Sequence, residues 1–153
     1  RRSSDLAYRR IDCPAEQVLA FMADPQKLGL WAFGSWNTLV DETELIRGFS
    51  IKDGSQIFVR ISSDENRGLI DYHVGVQPNQ LVPRIFARVF PGTAFGGNDQ
   101  ESGLMMSALR TDDMDDARWK DLQETHAVEI GLIKAAIETG YDHRLHGSCA
   151  TGD

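Results

Sequence analysis

Between Asp113 and Thr139 the sequence carries its longest periodic apolar segment, and that segment constrains the fold more than any other. Trp119, Leu122, Ile130, Ile133 and Ile137 recur at steps of three, four or their multiples, so a helix places them on one stripe. Such a stripe has to be covered, and most of the chain before it reads as short strands, so a sheet must lie against it. At about 100° per residue His126 falls near the centre of the same stripe, where a polar side chain is out of place. The helix opens on Asp112, Asp113, Asp115 and Asp116, which cap it and complement the positive end of its dipole. These carboxylates lack the alternating oxygen ligands and central glycine of a calcium loop.

Taken in order, the chain begins with a loosely alternating strand from Leu6 to Asp12. Asp12-Cys13-Pro14-Ala15-Glu16 then reads as a helix start, with Asp12 as the capping side chain and proline in the first turn. Ala15, Val18, Leu19 and Met22 share one face of that helix, and Asp24-Pro25 ends it, because the residue before proline is pushed out of the α region. Gln26 to Leu30 allow one or two further turns. From Asn37 to Arg110 the period changes to two. Strands are expected at Asn37 to Asp41, Leu45 to Ile51, Gln56 to Ser62, Leu69 to Val76, Val82 to Phe90 and Gly103 to Arg110. Asp53-Gly54, Asn66-Arg67-Gly68 and Gln77-Pro78-Asn79 supply turns between them, so the pattern is an antiparallel meander.

Alternation also assigns faces. Ile57, Val59, Ile61, Ile70, Tyr72, Val74, Val76, Ile85, Ala87 and Val89 point toward the helix, and Gln56, Phe58, Arg60, Asp71, His73, Gly75, Arg84, Phe86 and Arg88 point away. A one-residue bulge would reverse that phase locally. Phe58 and Phe86 on the outer face make a homodimer an expected partner state. Residues 1–140 read as a single domain and residues 141–153 as a polar, poorly ordered tail.

Composition excludes several classes of function. A formal charge of −7 argues against nucleic-acid binding, which needs a basic face for phosphates. No apolar run reaches the length of a membrane span, and no charged segment followed by an apolar one marks a leader. Two cysteines near opposite ends, Cys13 and Cys149, make neither a disulfide framework nor a zinc site, so a reducing cytoplasm is the expected location. No metal or other cofactor is expected. Pro91 to Gly97 lacks the lysine and hydroxyl residue of a phosphate loop, and no serine or cysteine stands in a nucleophile context.

Ile11-Asp12-Cys13-Pro14-Ala15-Glu16-Gln17-Val18, Met22-Ala23-Asp24-Pro25 with Leu28 and Trp31, Gly68 to Val74, Arg88-Val89-Phe90-Pro91 and Glu129 to Glu138 form a series of blocks. In order and spacing these blocks resemble the START-related (SRPBCC, helix-grip) superfamily, and within it the polyketide cyclase/dehydrase-like group, over residues 5–139. The resemblance implies an α+β helix-grip fold: a curved antiparallel sheet of about seven strands around the long C-terminal helix, with two short helices after the first strand. It also implies a deep cavity between sheet and helix for a small hydrophobic ligand, whether lipid, aromatic or polyketide-like. The superfamily holds carriers as well as enzymes, so fold alone does not supply a reaction. If there is one, a metal-free cyclase or dehydratase is expected, with His126 as acid/base and Tyr72 assisting. The residues expected to line the cavity are Trp31, Phe33, Trp36, Val59, Met106, Trp119, Glu129, Ile130 and Ile133. The family often places an apolar residue where His126 stands.

Overall fold

The alternating segments assemble into one seven-stranded sheet in a computed structural model that describes residues 3–145. The first strand, β1, is Ser4–Ile11, followed by helix α1, Ala15–Ala23, and two 3-10 segments, Pro25–Leu30 and Phe33–Ser35. The meander is β2 (Trp36–Val40), β3 (Ile46–Phe49), β4 (Gln56–Asp64), β5 (Leu69–Gly75), β6 (Val82–Pro91) and β7 (Ser102–Leu109), and α2 (Asp116–Thr139) follows. Spatial order is β1-β7-β6-β5-β4-β3-β2, with every pair antiparallel. This is the helix-grip arrangement, and its element order is the one read from the sequence.

Local chemistry explains the joints. Gly68 has φ +66°, and a Cβ there would stand 2.4 Å from the Val89 carbonyl oxygen, so the β4–β5 turn requires glycine. Asp24 accepts a hydrogen bond from the Gln26 N–H at 2.9 Å and so caps the first 3-10 segment, whose first residue is Pro25. One detail differs from expectation. Asp12 does not cap α1, which has no side-chain cap; the Asp12 N–H instead donates to Glu138 Oε1 at 2.8 Å and ties this corner to the end of α2.

The inward faces assigned by alternation hold along β4, β5 and most of β6, except that β5 ends at Gly75 and leaves Val76 exposed beyond it. Val59, Ile70, Tyr72, Ala87 and Val89 are buried, as are Leu104, Met106 and Ala108 on β7. Phe58 and Phe86 lie half-buried on the opposite face. The core is densest where α1 covers the sheet, joining Ile11, Val18, Leu19, Met22, Leu104 and Val89. Trp31 meets Tyr72 edge-on at 5.7 Å between centroids. The Tyr72 hydroxyl donates to the Met22 carbonyl at 2.6 Å, in the last turn of α1, where a helical carbonyl has no partner of its own.

Tyr72→Phe leaves that carbonyl buried without its donor, and such a group costs roughly 1–3 kcal/mol. Urea unfolding of the variant is expected to show a lower midpoint with the slope unchanged; an unchanged midpoint would mean that the hydroxyl contributes nothing to holding α1 on the sheet.

Candidate ligand groove

The position of α2 is set by polar contacts on one of its flanks. Asp115 caps it by accepting from the Arg118 N–H at 2.7 Å, and Gly140, at φ +69°, ends it. Between those ends α2 packs along β1, the edge strand. His126 Nδ1 lies 3.0 Å from Asp5 Oδ2, and Gln123 Nε2 donates to Asp5 Oδ1 at 3.4 Å. Lys134 Nζ donates to the Arg10 carbonyl at 2.8 Å. Asp5 shares the inward face of β1 with Ala7 and Ile11, so the same alternation that buries those two brings its carboxylate under the helix. His126 is only 3% exposed. The Asp5 carboxylate accepts, so Nδ1–H is the donor, and Nε2 is buried without a hydrogen-bond partner among the described residues.

The opposite flank of α2 is open. There Glu124, Thr125 and Val128 face Phe33 and the β3–β4 turn residues Ile51 and Lys52 across a groove of about 350 Å³. Ile51 and Val128 are 53% and 52% exposed and both line the groove, so that its wall presents apolar surface to solvent. Lys52 spans the rim, where its ammonium bonds Asp121 and donates to Thr125 Oγ1 at 2.6 Å. Ile57, Ile61, Val74 and Ile85, all inward-facing, stay half-buried, whereas Ile70, Ala87 and Val89 are covered. The concave face is therefore sealed beneath α1 and incompletely covered toward the other end.

Glu129 stands behind the groove wall. Burial pushes its carboxyl up to about 8, against the opposing pull of a backbone hydrogen bond from Phe33 and of the Lys52 charge, both from groove residues. A carboxyl raised in this way can donate a hydrogen bond in its protonated form. A second, smaller groove of about 240 Å³ lies between α1 and the end of α2, lined in part by Cys13, Phe21, Ile137 and Tyr141. Cys13 donates to Gln17 there, and burial followed by the charges of Asp12, Glu138 and Glu16 raises its thiol pKa, the opposite of what a nucleophile needs.

The expected site residues do not form one wall. Phe33 lines the groove and Glu129 adjoins it. Trp31, Val59, Met106, Ile130 and Ile133 are buried in the core, and Trp119 is buried beneath Arg110. Trp36 stacks on His143 at 4.6 Å with the rings parallel, which fastens part of the expected tail: residues 141–145 fold back on the first 3-10 segment through His143 and Arg144, and residues 146–153 lie outside the described structure. The Tyr72 hydroxyl is occupied by Met22, and burial raises its pKa far above the ordinary phenol value, so it is placed to hold structure and not to move a proton. In place of the deep cavity that the resemblance implies, the larger of these two spaces is an open groove at the flank of α2. Asp5, Ile51, Lys52 and Val128 were not among the expected residues. Val128 was detectable as an apolar residue off the main stripe, and Asp5 by extending the strand alternation two residues upstream of Ala7. Among the described residues no helix is long and apolar enough to cross a membrane, and no cluster of three metal-ligating side chains occurs.

No family model matches the chain, and no curated protein matches its sequence. Solved structures do match its fold. The protein XoxI from Bacillus cereus superposes with a TM-score of 0.65 at 14% identity, covering 93% of this chain and 100% of that one. The Aha1 dimer from Colwellia psychrerythraea gives 0.63 at 14% identity, covering 92% and 100%. The di-domain aromatase/cyclase BexL of the BE-7585A biosynthetic pathway gives 0.62 at 17%, covering 90% of this chain and 47% of its own. Likeness at this level of identity establishes the shared helix-grip fold and no more.

Glu129 gives the groove a pH signature. The carboxyl titrates near 4.5 when unfolded and near 8 when folded, so the native state holds the extra proton between those values and stability falls as pH rises through that window. Glu129→Gln removes the titration. Its melting temperature is expected to exceed that of the unmodified protein by several degrees at about pH 9 and to match it at about pH 4. A difference that stays constant across this range would contradict burial as the cause.

Proposed function

From a helix-grip fold whose long helix is fastened at one flank and open at the other, we propose that this protein binds a small hydrophobic molecule in the groove between α2 and the β3–β4 turn. The supporting observation is the exposed apolar pair Ile51 and Val128, backed by half-buried inward residues that a closed sandwich would cover. Phe33, Ile51 and Val128 hold the apolar body, and Thr125 and Lys52 on the groove lining offer polar partners at its rim. The groove volume, about 350 Å³, is at the lower end for sites of drug-sized molecules and suits a single aromatic system or a medium-length chain.

An enzymatic reading, a cyclase or dehydratase in which His126 moves a proton, is favoured by one specific observation. Asp5 fixes the imidazole through Nδ1 and leaves Nε2 bare, the arrangement of an oriented base. Turnover would require a substrate to pass between α2 and the sheet, since His126 does not line the groove. A second copy of the chain meeting the outer sheet face at Phe58 and Phe86 is compatible with either reading.

The neutral fluorophore N-phenyl-1-naphthylamine tests the groove. Saturable fluorescence enhancement is expected, and Val128→Asp, which places a charge on the apolar wall, is expected to weaken binding by about tenfold while the far-UV circular dichroism is unchanged. Binding that ignores Val128→Asp, or no saturable binding, would overturn the reading.

A further inference from the structure

Strict alternation along β6 sends Arg84 outward with Phe86 and Arg88, yet the pairing with β5 breaks at this point. Tyr72 pairs with Ile85 and His73 with Pro83, so Arg84 is the extra residue of a bulge. Its guanidinium feels the charges of Asp113 and Arg118, which stand on either side of the first residue of α2. Arg84 Nε is buried and has no hydrogen-bond partner among the described residues. The carboxylate whose charge acts on it is already engaged: Asp113 accepts from Thr111 Oγ1 and, at 3.2 Å, from Arg118. Burial and then the Arg118 charge push the Arg84 pKa down, and Asp113 only partly opposes them. A half-buried cation with a bare N–H is costly unless an anion meets it, and a guanidinium fork matches a carboxylate in two parallel bonds.

Arg84 also neighbours Ile85, one of the half-buried inward residues, and Ile85 pairs with Ala108, which pairs with Asp5. Ile85, the residue after Arg84, therefore lies on the same row of the sheet as Asp5, about 10 Å away by two strand spacings. Cation and apolar surface thus adjoin at the incompletely covered end of the sheet.

We propose that the ligand is an amphipathic carboxylate, its acid group held by Arg84 and its apolar body lying along Ile85, Val74 and Ile57 toward the groove. This rests on the ligand-binding reading above. Decanoate and decanol, which share an apolar chain and differ in the head group, separate the two ideas in calorimetric titrations of the full chain near neutral pH. Decanoate is expected to bind about tenfold tighter than decanol, as a charge-assisted pair allows. Arg84→Gln is expected to abolish that preference, and Arg88→Gln, whose cation sits outside over Phe90, to retain it. In the unmodified protein the Arg84 Nε–H resonance is expected to shift with decanoate and not with decanol, a readout independent of how any variant folds. Equal affinity for the two, a preference that survives Arg84→Gln, or a resonance that does not move overturns this inference and leaves the groove standing. Binding of neither compound overturns both.

Discussion

A buried imidazole held by a carboxylate sets the geometry of this molecule. His126 and Asp5, with Gln123 alongside, fasten the middle of α2 to the edge strand β1, and Lys134 and Glu138 fasten its C-terminal end to the corner between β1 and α1. Polar contacts of this kind are directional, and inside a protein an unmet partner is expensive, so they fix where the helix lies more sharply than apolar contact would. A helix held against one edge of a curved sheet cannot also close on the other edge. The groove beside Val128 and the half-covered residues Ile57, Val74 and Ile85 follow from that asymmetry.

The two ends of the concave face differ in kind. Beneath α1 the face is an ordinary core, closed by Trp31, Tyr72 and Met22, with the Tyr72 hydroxyl satisfying the helix end. Under the middle and start of α2 two buried nitrogens have no hydrogen-bond partner among the described residues, the Nε2 of His126 and the Nε of Arg84, and the Glu129 carboxyl is raised by burial. Native interiors rarely leave such groups unmet; Ser102 Oγ, paired across from Ile11, is a third such atom and lies at the end covered by α1.

Much of the architecture was legible in the sequence because it is carried by period. Strict alternation from Gln56 to Val89 and the stripe from Trp119 to Ile137 dictate a sheet with one helix against it, and nearly every strand boundary lies within a few residues of expectation. The site was less legible because it depends on departures from period. Arg84 leaves the regular alternation because one residue is inserted in the β5–β6 register, and nothing local in Val82-Pro83-Arg84-Ile85 specifies which residue that will be. His126 was conspicuous as a polar residue on an apolar stripe, but its partner lies 121 positions away on a strand whose start reads as polar. Ile130, Ile133 and Met106 illustrate the converse limit, since one helical or strand period places core residues and ligand-facing residues alike on the inner face.

The account depends on the open flank of α2 being where a hydrophobic molecule resides. Methyl NMR of the isoleucine and valine side chains during titration with decanol tests this most directly, because each methyl reports its own surroundings. The account predicts saturable shifts at Ile51, Ile57, Val74, Ile85 and Val128, with Ile11, Val18 and Val89 unmoved beneath α1. Shifts confined to the core beneath α1, or an absence of saturation at Ile51 and Val128, would contradict it.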